Sequence, residues 1–209
     1  MLRSFADIAF TPSVQALQRE SGSRTQYARM QAHAPHSALT VRERDFLAQA
    51  DSFYLATVSE TGWPYVQHRG GPPGFVRMLS PSQIAFADFR GNLQYISAGN
   101  ATRDDRVSLI FVDHAARRRL KLLGHLRFLD VTEADAALVA AVALPGYRAT
   151  IERIAIIEVV ALDWNCPQHI AQRFSADQVD AITRPLEARI ATLEAQALAA
   201  PTAHGAQPV

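Results

Sequence analysis

Along Arg118–Phe128 the hydrophobic and polar positions alternate. The even ones are Arg118, Leu120, Leu122, Gly124, Leu126 and Phe128, and the odd ones are Arg119, Lys121, Leu123, His125 and Arg127. A period of two is the signature of a strand with one face in a core and the other in water. The pattern predicts an inward apolar row and an outward, mostly basic one. With no acid between them the basic groups repel one another, which lowers stability slightly unless an anion offsets it.

Further strands follow the same logic. "FYLATVS" and "WPYVQHR" flank the turn Glu60-Thr61-Gly62, and "GFVRML" and "QIAFAD" flank Ser80-Pro81-Ser82. "RVSLIFVD" and "RRLKLLGHLRFLDV" flank "HAAR", and "ERIAIIEVVALDW" is a last long strand. Turn signals spaced by roughly 8–12 residues favour hairpins, and so a barrel or sandwich over a βαβ sheet. The predicted architecture is mainly β with flanking helices: an antiparallel six-stranded barrel.

Elsewhere the period lengthens. Thr11 before Pro12 predicts an N-cap and a proline at the first helical position, with Val14, Leu17 and Tyr27 inward. Thr40 to Glu43 is a capping box ahead of a short helix carrying Phe46 and Leu47, and "HAPHSA" is a proline-broken linker before it. Thr132 is expected to cap a helix over "EADAALVAAVAL", ending at Pro145-Gly146. Ser175 to Gln178 is a second capping box, followed by Val179, Ile182, Leu186, Ile190, Leu193 and Ala197 at spacings of three and four. Pro185 is expected to kink or split that helix. Its seam is too short for a free-standing coiled coil, which predicts packing on the body or on a second subunit. The chain thus divides into a helical extension (1–50), a barrel domain (51–174), a terminal helix (175–200) and a disordered tail (201–209).

Composition narrows the partners. With 209 residues, 48% hydrophobic and 20% charged, the chain suits one sizeable globular domain. A net charge of +1 leaves no global field to hold nucleic acid or an anionic membrane. The single cysteine, Cys166, allows no intrachain disulfide, and the opening segment lacks the apolar core of a signal peptide. No apolar run reaches membrane-spanning length, since "IAIIEVVALDW" is broken by Glu158. A soluble, cytoplasmic protein is expected.

Four clusters could carry chemistry. The first is the basic row of Arg119 and Lys121. The second is "QHRGGPPG", where Gly70 and Gly71 allow close backbone approach or positive φ and His68 and Arg69 add donors; an ordinary interstrand loop is the equal alternative. The third is "FADFRGNLQYISAGN". Asn92, Gln94, Ser97 and Asn100 exceed what capping uses, and the surplus asks for a ligand, an anion at a helix start being one. The fourth is "DWNCPQHIAQRF", with Trp164 as a stacking surface and Asn165, Gln168 and His169 as polar groups. Cys166 and His169 lack the further partners a zinc site needs, and Cys166 reads as an inert thiol before a nucleophile. There is no Ser-His-Asp order, P-loop or carboxylate pair.

Taken in order from about Asp51 to Phe174, these segments resemble the pyridoxamine 5′-phosphate oxidase-like family, the FMN-binding split-barrel flavoproteins. "FYLATVSETGWPYVQHRGG" is similar to the family's first hairpin, and "IAFADFRGNLQYISAGNATRDDRVSLIFVD" to its strand, phosphate-binding turn, helix and next strand. The resemblance implies a split β-barrel holding FMN in a homodimer with shared flavin sites. It places His68, Arg69 and Gly70 beside the ring and phosphate, and Asp88, Arg90, Asn92, Gln94, Ser97 and Asn100 around the ribityl phosphate. It brings Arg119 and Lys121 from the facing strand, and Trp164 with Gln168 from the other subunit. The phosphate's roughly two negative charges would offset the basic row. The implied activity is an FMN-dependent oxidoreductase, with NADH or NADPH as a candidate electron donor. Gln67–Pro73 stands where the oxidases carry an arginine-to-lysine motif, and the family's C-terminal arginine–histidine pattern is reduced to His169 and Arg173. Both departures point to a substrate other than vitamin B6 phosphates. The alternative is a non-catalytic flavin or haem binder acting in storage or sensing.

Overall fold

A computed structural model describes residues 4–33, 38–165 and 167–199. Cys166, the tail and most of the "HAPHSA" linker lie outside them. The chain forms two units, one comprising residues 1–113 and 117–170, the other residues 114–116 and 171–209.

The first unit opens with four short helices, α1 (Phe5–Ala9), α2 (Pro12–Glu20), α3 (Arg24–His33) and α4 (Val41–Leu47). Thr11 caps α2 ahead of Pro12, and Thr40 with Glu43 forms the complete capping box of α4. The inward face of α2 is not the expected one. Leu17 is 65% exposed while Gln18 is buried, because Gln18 accepts a hydrogen bond from Arg24 across the α2–α3 turn. Tyr27, also partly exposed, packs edge-on against Phe10.

The strands are β1 (Ser52–Val58), β2 (Pro64–Gly70), β3 (Val76–Ser80), β4 (Gln83–Phe89), β5 (Arg106–Asp113), β6 (Arg118–Asp130) and β7 (Ile151–Asn165), with α5 (Ile96–Ala101) and α6 (Ala136–Val142) between them. Among the described residues all seven expected segments are strands, one more than the expected six-stranded barrel, in one antiparallel sheet of order β2-β1-β5-β6-β7-β4-β3. β7, fifteen residues long, pairs with β6 along most of its length and also carries β4, bringing the β3–β4 hairpin into the same sheet. α6 begins after Asp135, whose carboxylate accepts from the Leu138 N–H, not after Thr132. Thr132 instead donates to Asp130 in the preceding turn.

The sheet coils on itself. Phe53 of β1 meets Phe86 of β4 edge-on at 5.2 Å, although three strands separate them in the sheet order. The rings of Phe53, Phe75, Phe86 and Phe111, with Leu55, Leu109, Leu120 and Leu122, fill the space so enclosed. β4 is buried on both faces. Ile84 and Phe86 point into this core, while Ala85 and Ala87 meet Val142 of α6 and Ile154 and Ile156 of β7. On β6, Leu120, Leu122 and Leu126 are fully inward. Two of the outward basic groups meet acids from neighbouring segments: Lys121 pairs with Asp163 at 3.0 Å and His125 with Asp105 at 2.8 Å.

In the second unit, α7 (Ala176–Ala199) begins with both hydrogen bonds of the Ser175–Gln178 box. It runs through Pro185 as one helix. No described helix is long and apolar enough to cross a membrane.

Candidate functional site

β2 is an edge strand whose residues alternate between half-buried and exposed. Tyr65, Gln67 and Arg69 therefore share the sheltered face, while His68 turns to the other and packs edge-on to Tyr54 at 5.5 Å. Strand parity alone separates His68 from Arg69, so the expected pair does not act together within one chain. Neither Gly70 nor Gly71 has positive φ; that role falls to Gly74, at φ 79°. A Cβ on Gly71 would lie 2.8 Å from Phe75, so its bare backbone serves core packing.

Asp88 continues the inward row of Ile84 and Phe86, which puts a carboxylate 3% exposed at the end of the core. Two guanidiniums hold it. Arg69 Nη1 donates to Oδ1 at 2.6 Å, and Arg153 donates to Oδ2 through Nη2 at 2.6 Å and Nε at 3.1 Å. Arg153 stands opposite Asp88 in the β4–β7 register, with the rings of Tyr95 and Phe128 each 4.8 Å from its guanidinium carbon. A buried charge persists only when paired and hydrogen-bonded, and here one anion joins strands β2, β4 and β7. Arg69 Nε is buried without a hydrogen-bond partner among the described residues.

The donor-rich segment divides by role. Asn100 donates to Thr57 of β1 and Ser97 to the Gln67 amide oxygen of β2, each at 2.9 Å, so these two pin α5 to the sheet. Asn92 accepts from the Gln94 N–H in a tight turn. Leu93 and Tyr95 take φ of 61° and 52°, conformations that cost non-glycine residues and concentrate where ligands are clamped. The Tyr95 hydroxyl donates to Glu152 at 2.6 Å, and that hydrogen bond pushes its pKa above the ordinary tyrosine value. α5 has only six residues and is preceded by left-handed Tyr95, so the expected anion site at a helix start is not what organises the segment.

Together these elements enclose a cleft of about 210 Å³. Five expected residues line it: Arg69, Asp88, Asn92, Gln94 and Ser97. Asn100 is buried beside Thr57 on β1, and Arg90 leads into the turn, its backbone N–H held by Thr150. Tyr65, Gln67, Tyr95, Glu152 and Arg153 also line the cleft and were not singled out. Gln67 and Tyr65 were legible from the parity of Arg69; Glu152 and Arg153 gave no local signal. Arg69 and Arg153 face Asp88 and Glu152 there, so the lining is close to neutral. An anion would be held by directed donors, not by bulk charge.

The remaining expected residues lie apart from this cleft. Arg119 donates to the Gln168 carbonyl at 3.4 Å. Trp164 packs edge-on against Phe46 of α4 at 4.8 Å, under the Arg42 guanidinium, and its indole N–H donates to Glu43 at 2.7 Å. Burial pushes the Glu43 carboxyl up, but hydrogen bonds from the Thr40 hydroxyl, the Trp164 indole and the Thr40 backbone outweigh it and hold the group below its ordinary range.

A family model described as pyridoxamine 5′-phosphate oxidase matches residues 39–162. Three solved structures are similar to this chain. HupZ of Group A Streptococcus has 17% identity, covers 65% of this chain and 100% of its own, and has a TM-score of 0.48. An FMN-binding protein from Syntrophomonas wolfei has 12% identity, coverages of 71% and 97%, and a TM-score of 0.47. A relative of general stress protein 26 from Clostridium acetobutylicum has 13% identity, coverages of 66% and 95%, and a TM-score of 0.43. Among curated proteins, none matches the sequence.

Proposed function

We propose that this chain, which belongs to the pyridoxamine 5′-phosphate oxidase family, binds FMN in the Arg69–Asp88–Arg153 cleft and acts as a flavin-dependent oxidoreductase. One observation carries the reading: Arg69, whose Nη1 is tied to Asp88, borders a cleft lined by the amides of Gln67, Asn92 and Gln94 and the hydroxyl of Ser97. An anionic oxygen is a guanidinium's strongest acceptor. Arg69, Gln67, Asn92, Gln94 and Ser97 fit a phosphate with a polyhydroxyl chain. Asp88 fixes the Arg69 head, while Asn100 and Ser97 fix the wall against which it works.

When bound, the isoalloxazine ring supplies the redox chemistry, and the protein supplies binding, orientation and charge. In that reading no side chain need act as a nucleophile. The departures at Gln67–Pro73 support a substrate other than vitamin B6 phosphates, and NADH or NADPH is the candidate electron donor. We further propose a homodimer with shared flavin sites, in which Trp164 and Gln168 of a second copy face the cleft.

The test is the absorption spectrum of the purified protein with its thermal stability in excess FMN or FAD, followed by addition of NADH or NADPH. The expected results are a flavin spectrum, a stability gain larger with FMN, and bleaching by one nicotinamide. A ligand bound only to the native state must raise stability, so no gain in excess FMN defeats the cofactor reading. Flavin that binds but never bleaches leaves the storage or sensing role.

A further inference from the structure

The terminal helix presents an apolar face that the flavin reading leaves unused. Val179, Ile182, Leu186, Ile190 and Leu193 are 44–59% exposed along one side of α7. They fit a heptad with Val179, Leu186 and Leu193 at d and Ala176, Thr183, Ile190 and Ala197 at a. The flanks then differ. Asp180, Glu187 and Glu194 all occupy e, whereas g holds Ile182, Arg189 and Gln196. Pro185 falls at c, on the outside, where it disturbs no contact of the stripe.

That asymmetry selects the partner and its direction. Two copies side by side and parallel bring g of one helix against e of the other, so Arg189 of each chain faces Glu194 of its mate. Antiparallel copies would set the acidic e rows against each other and cost stability through like charges. We propose that α7 pairs in parallel and in register with the α7 of a second copy of this chain. Twenty-four residues give about three heptads, marginal for two helices alone. The pairing therefore adds to an association of the barrels, and it rests on the homodimer proposed above.

The experiment uses the full chain with Cys166→Ser, carrying Ala176→Cys or Ala197→Cys, one at each end of the a row. In-register parallel helices bring equivalent a positions within disulfide reach, while the two ends of the row lie about 32 Å apart. Each variant alone should oxidise to a covalent dimer, and circular dichroism should show the helix intact. Crosslinking only in the mixture of the two variants means antiparallel pairing and overturns the proposal. If neither links while sedimentation still shows a dimer, the helix pairing falls and the homodimer stands. A monomer at every concentration removes the homodimer itself. As a second arm, Arg189→Glu or Glu194→Arg should each raise the dimer dissociation constant about five- to tenfold, with the double reversal restoring it. Failure of that rescue also overturns the pairing.

Discussion

Replacing Asp88 by Asn probes the ion cluster with almost no change of shape. Asp88 is 3% exposed, and its two cations are 17% and 21% exposed. The amide can still accept from one guanidinium, but its NH2 group must then face the other, donor against donor. Removing one member of a buried pair costs about 3–5 kcal/mol, because the partner's charge is left uncompensated. Arg69 and Arg153 border an open cleft and recover some hydration, so the lower end, about 3 kcal/mol, is expected. For a protein of this size that corresponds to a fall of roughly 6–12 °C in Tm. Urea unfolding followed by circular dichroism gives the free energy directly, and an unchanged urea dependence confirms that the same surface is exposed. The cluster's charge also rises from +1 to +2, so inorganic phosphate should stabilise the variant more than the wild type. A loss under about 0.5 kcal/mol, with no extra response to phosphate, would mean that Asp88 does not hold the two arginines in solution.

Leu122→Ala should cost about 2–5 kcal/mol in the same assay, with FMN affinity little changed, since Leu122 is fully buried in the barrel core. Gly124→Ala should destabilise by about 1–3 kcal/mol, because a Cβ there would lie 2.5 Å from the Glu158 carbonyl oxygen. Arg69→Met should abolish FMN-induced stabilisation while the chain still unfolds cooperatively; an undiminished gain would move the cofactor elsewhere. Glu43 has a folded pKa below the ordinary glutamate value, so its contribution is fully present above that ordinary value and is lost as pH falls through the folded pKa. The stability difference between wild type and Glu43→Gln should therefore shrink on acidification, and a difference that grows would reverse the sign of the argument.

Local periodicity was enough to determine a good deal of this protein. Alternation along β6 assigned Leu120, Leu122 and Leu126 to the core, and Thr11, Thr40 and Ser175 marked helix starts, because such signals depend on residues within one turn or one pleat of each other. The same parity on β2 already separated His68 from Arg69 and pointed to Gln67, a signal present in the sequence. Where the determinant was a contact between distant segments, the chain carried no local mark of it. Arg69 reaches Asp88 across the coiled sheet, Arg153 meets Asp88 through the β4–β7 register, and Trp164 donates to Glu43 from 121 positions away. A hydrogen-bonding side chain advertises that it needs a partner, but which partner it finds is set by sheet order and curvature. Asn100 illustrates this: its surplus donor looked like a ligand contact, and tertiary structure gave it Thr57 as a partner.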